Sequence, residues 1–271
     1  MLDAARPSLR LLTEHSATVK ENVIMEYKYE VTSEIGFLQR VATHLLPKGY
    51  FFFVQGTLPD GKDPRALDAK LLAKYDVVKS EGARRWRKSQ GLGNVQYVRY
   101  QNHWMLLATH GHHPIREGEG DNLKDARRAP IRIGDYALYV KRGNYLKREP
   151  SDEAAKPDGK WRVRVLIARE PYRELCAYFL SIACHRRMEA LTEELFSLAF
   201  EPYAPVRKQL LKLLRLVNAK RQAAGYSKLP PTCLRFKRDI VRAFEKHDKV
   251  ASKLTAMVGD TRLPNGSNLF A

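Results

Sequence analysis

The stretch NVQYVRYQNHWMLLAT, residues 94–109, decides the fold class, because two strand-forming runs follow each other with almost nothing between them. Aromatic and β-branched side chains predict one strand over residues 94–101 and a second over 103–109. So short a connection, around Asn102, predicts an antiparallel hairpin. The run YFFFVQGTL, residues 50–58, predicts a further strand in the centre of a sheet.

Helical patterns alternate with these strands. Ser33 is well placed to cap a helix over EIGFLQRVATHLL, and RALDAKLLAKYDVV, residues 65–78, predicts another helix. The segments APIRIGDYALYVKRG (129–143) and WRVRVLIA (161–168) predict more strands, the last with Arg162 and Arg164 on its open face. The sequence therefore predicts an α+β fold with a mixed or antiparallel sheet and flanking helices, for which a ferredoxin-like or RRM-like arrangement is one candidate.

The pattern becomes helical after Glu170. We predict helices over residues 171–200, 205–225 and 232–249, the last of them beginning at the N-cap Thr232. The expected organisation is a loosely attached N-terminal arm (residues 1–24), an α+β domain (25–168), a basic all-helical region (169–250) and a C-terminal tail (251–271).

Net charge is the most informative feature of the composition. The chain has 48 Lys and Arg against 30 Asp and Glu, a formal net charge of +18, and 44% of its residues are hydrophobic. Such a field attracts polyanions, so we expect DNA or RNA as the partner, and a protein partner within a nucleoprotein complex as a further one. The alternative is a basic protein that docks on an acidic protein.

We expect a cytoplasmic protein, associated with the nucleoid if the source is prokaryotic. No apolar run approaches the roughly 20 residues that cross a bilayer, so we expect no membrane contact. The three cysteines are scattered without a C-x-x-C pair, which is typical of a reducing compartment and argues against a structural zinc site.

Basic side chains concentrate in three places that we predict to contact nucleic acid: residues 205–250, residues 83–90 and the open face of the strand 161–168. Residues 205–250 hold 13 Lys or Arg against three acidic residues, and the predicted helix 205–225 sets its cations opposite a leucine stripe. The segment ARRWRKSQ (83–90) places an indole among cations, a combination suited to stacking a base beside phosphates. The candidate side chains are Arg84, Arg85, Trp86, Arg87, Lys88, Arg162, Arg164, Lys208, Lys212, Arg215, Arg235, Lys237, Arg238 and Arg242. Two alternatives stay open: Trp86 anchors its helix to the core, and the basic helix faces are ordinary solvated surfaces.

The segment THGHHP, residues 109–114, gathers three histidines after the second hairpin strand. On extended backbone His112 and His113 would point to opposite sides, so at most His110 and His112 share a side. Two histidines and a carboxylate could hold Mg²⁺ or Mn²⁺ beside a phosphodiester. The alternative is a polar turn made by Gly111 and Pro114, in which histidines bond backbone groups.

The order of FFFVQGTLP (51–59) and the later HGH (110–112) resembles that of the HUH endonucleases of rolling-circle initiators, relaxases and single-tyrosine transposases. The resemblance implies a mobile-element protein that nicks single-stranded DNA. It implies His110 and His112 as ligands of a divalent metal, Glu117 or Glu119 as the third ligand, and Tyr172 or Tyr178 as the nucleophile. The same tyrosines lie on an apolar helical stripe, where a tyrosine is more often a core residue than a nucleophile.

Two other functions stay open at this stage. The chain is similar in class to the ferredoxin-like RNases that process CRISPR repeat RNA, which implies metal-independent cleavage with His103, His110, His112 or Tyr100 moving the proton. A non-catalytic ribonucleoprotein subunit is the other alternative. Nucleic-acid binding is common to all of these hypotheses.

Overall fold

The computed structural model describes residues 27–143, 146–147, 156–238 and 240–245. The predicted N-terminal arm and C-terminal tail lie outside the described residues. The first helix, α1, spans Glu34–Gln39 and begins at Ser33, whose Oγ accepts a hydrogen bond from Gly36 N at 3.0 Å, as predicted. A π-helical segment, Arg40–Leu45, and a 3-10 turn, Leu46–Lys48, continue it to Gly49.

The first sheet has four antiparallel strands in the order β2-β3-β1-β4. They are β1 (Phe52–Thr57), β2 (Val95–Tyr100), β3 (His103–Ala108) and β4 (Lys124–Asp125). The predicted hairpin is confirmed, with Tyr100 paired directly to His103. The predicted central position of the aromatic strand is also confirmed, because β1 pairs with β3 on one side and with β4 on the other.

One face of this sheet is covered by the helices that connect its strands. Helices α2 (Pro64–Lys74) and α3 (Glu81–Ser89) lie between β1 and β2 in the chain, and α4 (Ile115–Glu119) lies between β3 and β4. Leu71 of α2 and Ile115 of α4 belong to one buried cluster with sheet residues such as Tyr97 and Leu106. Both crossing connections therefore pack on the same side of the sheet.

A buried ion pair ties α2 to the sheet. Asp68 and Arg99 are 1% and 3% exposed, and Arg99 Nε donates to Asp68 Oδ1 at 2.8 Å. The Tyr97 hydroxyl donates to the same carboxylate at 2.6 Å. Because removing one partner leaves an uncompensated buried charge, this network fixes α2 against β2.

The opposite face of the first sheet enters the main core. Phe53 and Met105 of this face join α1, a second sheet and the C-terminal helices in one apolar cluster, which spans both predicted regions on either side of residue 168. The second sheet has the antiparallel order β5-β6-β9, with β5 at Ile131–Ile133, β6 at Tyr136–Arg142 and β9 at Trp161–Ile167. Two short strands, β7 (Leu146–Lys147) and β8 (Lys156–Pro157), pair with each other. In β9 the alternation is as predicted, with Val165 buried and Arg164 exposed.

Three helices follow: α5 (Arg169–Ile182), α6 (Met188–Phe196) and α7 (Ala204–Ala223). The single helix predicted over residues 171–200 is therefore wrong, since the chain breaks between α5 and α6. The orientation predicted for α7 is confirmed, because its stripe of Leu210, Leu213, Leu214 and Val217 is buried in the main core. None of the described helices combines the length and apolarity needed to span a bilayer.

The helix predicted over residues 232–249 is wrong for the part that the structure describes. A 3-10 turn, Pro231–Cys233, is followed by non-helical chain through residues 234–238 and 240–245. Partners distant in sequence occupy its backbone groups: Arg207 donates to Phe236 O at 3.0 Å, and Val241 N donates to Gln39 Oε1 at 3.2 Å. These tertiary bonds replace the helical ones that propensity favours. Arg235, Lys237, Arg238 and Arg242 consequently do not share a helix face.

Candidate nucleic-acid interface

A groove lies between β9 and α7, and we call it the β9–α7 groove. Its volume is about 560 Å³, and its lining consists of Arg164, Leu166, Tyr172, Ala204, Pro205, Lys208, Gln209 and Lys212. Three of these side chains are cationic and none is acidic. The structure thus brings together a predicted cation of β9 and two predicted cations of α7.

Gln209 sets the position of α7 along β9. Its Oε1 accepts from Ile167 N at 2.8 Å, and its Nε2 donates to Ile167 O at 3.0 Å. Since β9 is an edge strand, these backbone groups would otherwise lack a partner strand. Lys208 and Lys212, one helical turn apart, are thereby held beside Arg164.

Tyr172 forms part of the wall of the groove. Its hydroxyl donates to Gln209 O at 2.9 Å, which links α5 to α7. Burial, together with the neighbouring Cys176, raises the pKa of Tyr172 above its ordinary value. The phenol is therefore neutral and bonded to the backbone, which suits the alternative prediction of a packing role.

The cations of the groove are free to bind a ligand. Among the described residues, no hydrogen bond or ion pair engages the side chains of Arg164, Lys208 or Lys212. Arg215, one turn beyond Lys212, is exposed and equally without a partner there. Clustered cations without an internal partner are suited to neutralising an anionic ligand.

Other predicted cations have partners within the protein. Arg162 donates to Asp158 at 2.9 Å, Arg235 lies 3.8 Å from Glu201, and Arg242 donates to Glu245 at 3.0 Å. Arg238 lies over the Tyr203 ring, 4.6 Å from its centroid. These side chains are less available to phosphates than those of the groove, whereas Lys237 is exposed.

Helix α3 presents a second basic surface. Ser80 caps it, and Arg84 and Arg87 point inward, with Arg87 donating to Gly93 O at 2.9 Å and Arg84 to Lys79 O. Arg85, Trp86 and Lys88 point outward, with Trp86 61% exposed. The alternative in which Trp86 anchors α3 to the core is therefore wrong, and its indole faces solvent.

The three histidines lie in a turn, as the alternative reading of Gly111 and Pro114 predicted. Gly111 has φ 111°, and a Cβ built on it would lie 2.6 Å from the Leu92 carbonyl carbon and closer still to Gly91 and Gly93. Gly93 N donates to His112 O at 2.9 Å, so the turn docks on residues 91–93. His113 is buried, accepts from Ile115 N at 3.2 Å, and has its pKa lowered by that burial and by Arg87.

The remaining predicted metal ligands have separate partners. The His110 ring meets Phe52 edge-on at 4.8 Å, and burial and Arg127 lower its pKa. Glu119 accepts from the Tyr75 hydroxyl and lies 3.6 Å from Lys74 Nζ, while Glu117 is exposed. No group of three or more His, Cys, Asp or Glu suited to holding a metal occurs among residues 27–143 and the later described segments.

The structure does not bring the two candidate nucleophiles to the histidines. The ring of Phe52 contacts His110. Its neighbour Phe51 contacts Trp161, at the start of β9. Tyr172, on α5, is linked through Gln209 to Ile167 at the other end of β9, a strand whose seven residues span about 20 Å. Tyr178 donates to Glu194 of α6 and lies further along α5.

A group of arginines and aromatic rings near His110 was missed at the sequence level. The Arg127 guanidinium lies 5.3 Å from the Phe51 ring centroid and 5.5 Å from that of Trp161, and Arg142 lies 5.1 Å from the Trp161 ring. Asp125 orients Arg127 through two hydrogen bonds of 2.9 and 2.7 Å. No local pattern joins these residues, which meet only because the two sheets pack together.

A second cavity, which we call the His103 cleft, opens where the first sheet meets the second. It has a volume of about 370 Å³, and its polar lining comprises Glu34, Gln55, Thr57, Tyr100, Gln101, His103 and Arg132. Thr57 Oγ1 and His103 Nδ1 are 3.0 Å apart. Tyr100 and His103 were sequence candidates for RNA cleavage, whereas Gln55 and Thr57 could be found only from the strand register and Arg132 only from the packing of the second sheet against the first.

Neither a scan against protein-family models nor a search of the curated proteins finds a match to this chain. Its function is therefore inferred from the charge and geometry of these surfaces.

Proposed function

We propose that the protein binds nucleic acid and that the phosphate backbone lies in the β9–α7 groove. The observation that carries this proposal is the convergence of Arg164, Lys208 and Lys212 on one groove whose lining has no carboxylate. A chain of formal net charge +18 supplies the long-range attraction.

The chemistry of the three cations suits phosphates. The planar guanidinium of Arg164 can donate two parallel hydrogen bonds to one phosphate, and the two lysines act as mobile point charges. Because Gln209 fixes α7 on β9, these charges are positioned before the ligand arrives. Preorganisation of this kind reduces the entropy lost on binding.

Helix α3 supplies a second contact that favours unpaired nucleotides. Trp86 is largely exposed, with Arg85 and Lys88 beside it on the same helix. An exposed indole offers a stacking surface to a base that is not already stacked in a duplex, and the cations meet its phosphates. We therefore propose a single strand or a loop as the preferred ligand.

We further propose that the first sheet with α2 and α4 forms a ferredoxin-like or RRM-like unit. The strand order β4-β1-β3-β2, the antiparallel pairing throughout and the packing of both connections on one face support this assignment. The α5–α7 helices would then be a basic addition that provides one side of the groove.

Metal-dependent DNA nicking would require several of the predicted site residues to leave their present partners. Glu119 would have to leave Tyr75 and Lys74 to join His110 and His112 around Mg²⁺ or Mn²⁺. Tyr172 and Tyr178, both on α5, would have to give up the hydrogen bonds that their hydroxyls donate to Gln209 O and to Glu194.

The binding proposal is tested by fluorescence anisotropy with labelled 20-nucleotide single strands of RNA and DNA and with their duplexes. Arg164→Gln, Lys208→Gln and Lys212→Gln should each weaken binding for every sequence, because phosphate contacts carry no base information. Lys62→Gln and Lys70→Gln, which remove exposed lysines elsewhere, are the matched controls. Equal losses in the control variants would contradict the assignment of the groove.

A further inference from the structure

We propose that a group of four side chains, Phe51, Arg127, Arg142 and Trp161, binds an unpaired base of a nucleic-acid strand together with its flanking phosphates. We call this group the Trp161 cluster. The inference rests on the proposed function, because it adds a second contact for the strand whose backbone lies in the β9–α7 groove. The base would stack against the indole of Trp161, and the two arginines would contact the phosphates.

The Trp161 cluster lies at the junction of the two sheets. Ala126, the residue before Arg127, donates its backbone N–H to Phe51 O at 2.8 Å, and its carbonyl accepts from Val140 N at 3.1 Å. One residue therefore links the start of β1 in the first sheet to β6 in the second. These two bonds fix where Arg127 leaves the backbone, beside Phe51 of one sheet and Trp161 of the other.

Arg127 is oriented before any ligand arrives. Its Nε and Nη2 donate to Asp125 Oδ1 and Oδ2 at 2.9 and 2.7 Å, which commits one side of the guanidinium. No residue in the described part of the chain accepts a hydrogen bond from its Nη1. The guanidinium therefore has donors left for a phosphate oxygen while it packs on the rings of Phe51 and Trp161.

Trp161 and Arg142 form the exposed side of the cluster. They are directly paired across β9 and β6, and the Arg142 guanidinium carbon lies 5.1 Å from the indole centroid. Trp161 is 39% exposed, and among the described residues Arg142 has no hydrogen-bond or ion-pair partner. An exposed cation–π contact alone holds this guanidinium over the indole, so a base can replace it while the guanidinium turns to a phosphate.

The composition of the cluster favours an unpaired base over an acidic peptide. Aromatic rings and guanidinium planes stack with nucleobases, every one of which offers a flat π-face, whereas a carboxylate would use only the cations. A base inside a duplex is already stacked on its neighbours. The ligand is therefore a single strand or a loop.

The cluster lies within reach of a strand that is bound in the β9–α7 groove. Trp161 precedes Arg164 by three residues of β9, which is about 10 Å along this edge strand, although alternation sends the two side chains to opposite faces. Even at the roughly 3.4 Å per nucleotide of a stacked strand, 20 nucleotides extend about 70 Å, so one strand can contact both surfaces. Contacts that are linked in this way raise the affinity above that of either one alone.

The test measures the binding of labelled 20-nucleotide single strands, made as RNA and as DNA, to variants of the full chain. Trp161→Leu keeps an apolar side chain but removes the ring, and it should weaken binding by about 5- to 150-fold, the effect of one lost stacked base. Trp161→Phe keeps a ring and should retain most of the affinity. A loss with either polymer that depends on the ring supports the proposal.

Strands without bases separate stacking from charge. An abasic strand of the same length keeps its phosphates, so wild type and Trp161→Leu should bind it with equal affinity. Arg142→Gln should bind both kinds of strand more weakly, with a salt slope reduced by about 1. If Trp161→Leu lost as much affinity for the abasic strand, or for a polyglutamate peptide, as for the strand with bases, stacking on Trp161 would be excluded.

Tyr226→Leu and Arg65→Gln are the matched controls. Tyr226 is 49% exposed, with the Arg221 guanidinium carbon 5.4 Å from its ring centroid, and Arg65 is exposed on α2. Both variants should bind like wild type, and circular dichroism should show that all variants are folded. Losses in the controls as large as in Trp161→Leu and Arg142→Gln would contradict the assignment of the cluster.

Ultraviolet cross-linking of wild type to strands that contain 5-bromouracil needs no variant. The cross-linked peptides should include the one that contains Trp161. Its absence from a set that includes Trp86, or undiminished binding by folded Trp161→Leu while Arg164→Gln binds more weakly, would overturn the cluster proposal and leave the proposed function standing. Wild type that binds neither RNA nor DNA would overturn the proposed function itself.

Discussion

Gln209 of α7 bonds both backbone groups of Ile167 in the edge strand β9, accepting from its N–H at 2.8 Å and donating to its C=O at 3.0 Å. One side-chain amide thus takes the place of a neighbouring strand. The same pair of bonds sets Lys208 and Lys212 beside Arg164, so the stability of the edge and the geometry of the groove have a common origin.

Gln209→Ala should lower the free energy of unfolding by about 1–3 kcal/mol, because it leaves two partly buried backbone groups without partners. Urea denaturation measures this change, and Gln222→Ala, at an exposed position of the same helix, is the control. A Gln209→Ala variant as stable as the control would show that the amide does not secure the edge.

Asp68→Asn should destabilise the protein by about 2–4 kcal/mol, since it removes the buried carboxylate of the pair and leaves the Arg99 guanidinium with only the exposed carboxylate of Glu30, 3.2 Å away. Thermal and urea unfolding would both report the loss. Asp121→Asn, at an exposed position, should change stability by less than about 0.5 kcal/mol. If both variants lose the same small amount, the buried pair is not what attaches α2 to the sheet.

Gly111→Ala should cost more stability than Gly225→Ala, and the comparison separates two effects. Both glycines have positive φ, 111° and 79°, so both substitutions carry the left-handed penalty of about 1–2 kcal/mol. Only at Gly111 would the new Cβ also collide with the backbone of residues 91–93, whereas at Gly225 it meets nothing within 4 Å. Equal changes in the urea midpoint would mean that the histidine turn does not depend on this close approach.

Acid should weaken the Asp125–Arg127 ion pair, because it protonates the Asp125 carboxylate. Burial alone would raise the pKa of Asp125, but hydrogen bonds from Arg127 outweigh it, and the pKa is lowered from its ordinary 3.8. A lowered folded-state pKa adds stability that is present above pH 3.8 and is lost as the pH falls through the folded value. Asp125→Asn should therefore be less stable than wild type at pH 7 and lose less on titration to pH 2. Parallel stability curves for the two proteins would contradict the pairing.

Trp86→Ala should leave stability within about 0.5 kcal/mol of wild type, because the side chain is 61% exposed. It should weaken binding to a single strand by about 1–3 kcal/mol through the loss of one stacked base. Phe196→Ala removes a comparably exposed ring on α6 and should affect neither quantity. Anisotropy titrations that show the same affinity for wild type and Trp86→Ala would remove α3 from the interface.

The sequence predicted those elements whose signals are local. The hairpin at Asn102, the cap at Ser33 and the buried stripe of α7 each follow from neighbouring residues, and each is observed. The helix over residues 232–249 was predicted wrongly because the backbone there bonds to Arg207 and Gln39, partners that no local pattern identifies.

In the candidate sites too, the single residues could be predicted from local patterns, but the contacts between them could not. The cations of β9 and α7 were predicted separately from alternation and helical spacing, but their meeting depends on the bond between Gln209 and Ile167, 42 positions apart. His103 and Tyr100 were candidates by residue type, whereas the contact between Thr57 and His103 depends on the register that pairs β1 with β3.

The central claim is that nucleic acid lies in the β9–α7 groove, and the salt dependence of binding tests it most directly. The logarithm of the affinity plotted against the logarithm of salt concentration should fall steeply for wild type. In the triple variant Arg164→Gln/Lys208→Gln/Lys212→Gln the slope should shrink by about 3, one for each lost phosphate contact. A wild-type affinity that is insensitive to salt, or a triple variant with the wild-type slope, would contradict the account.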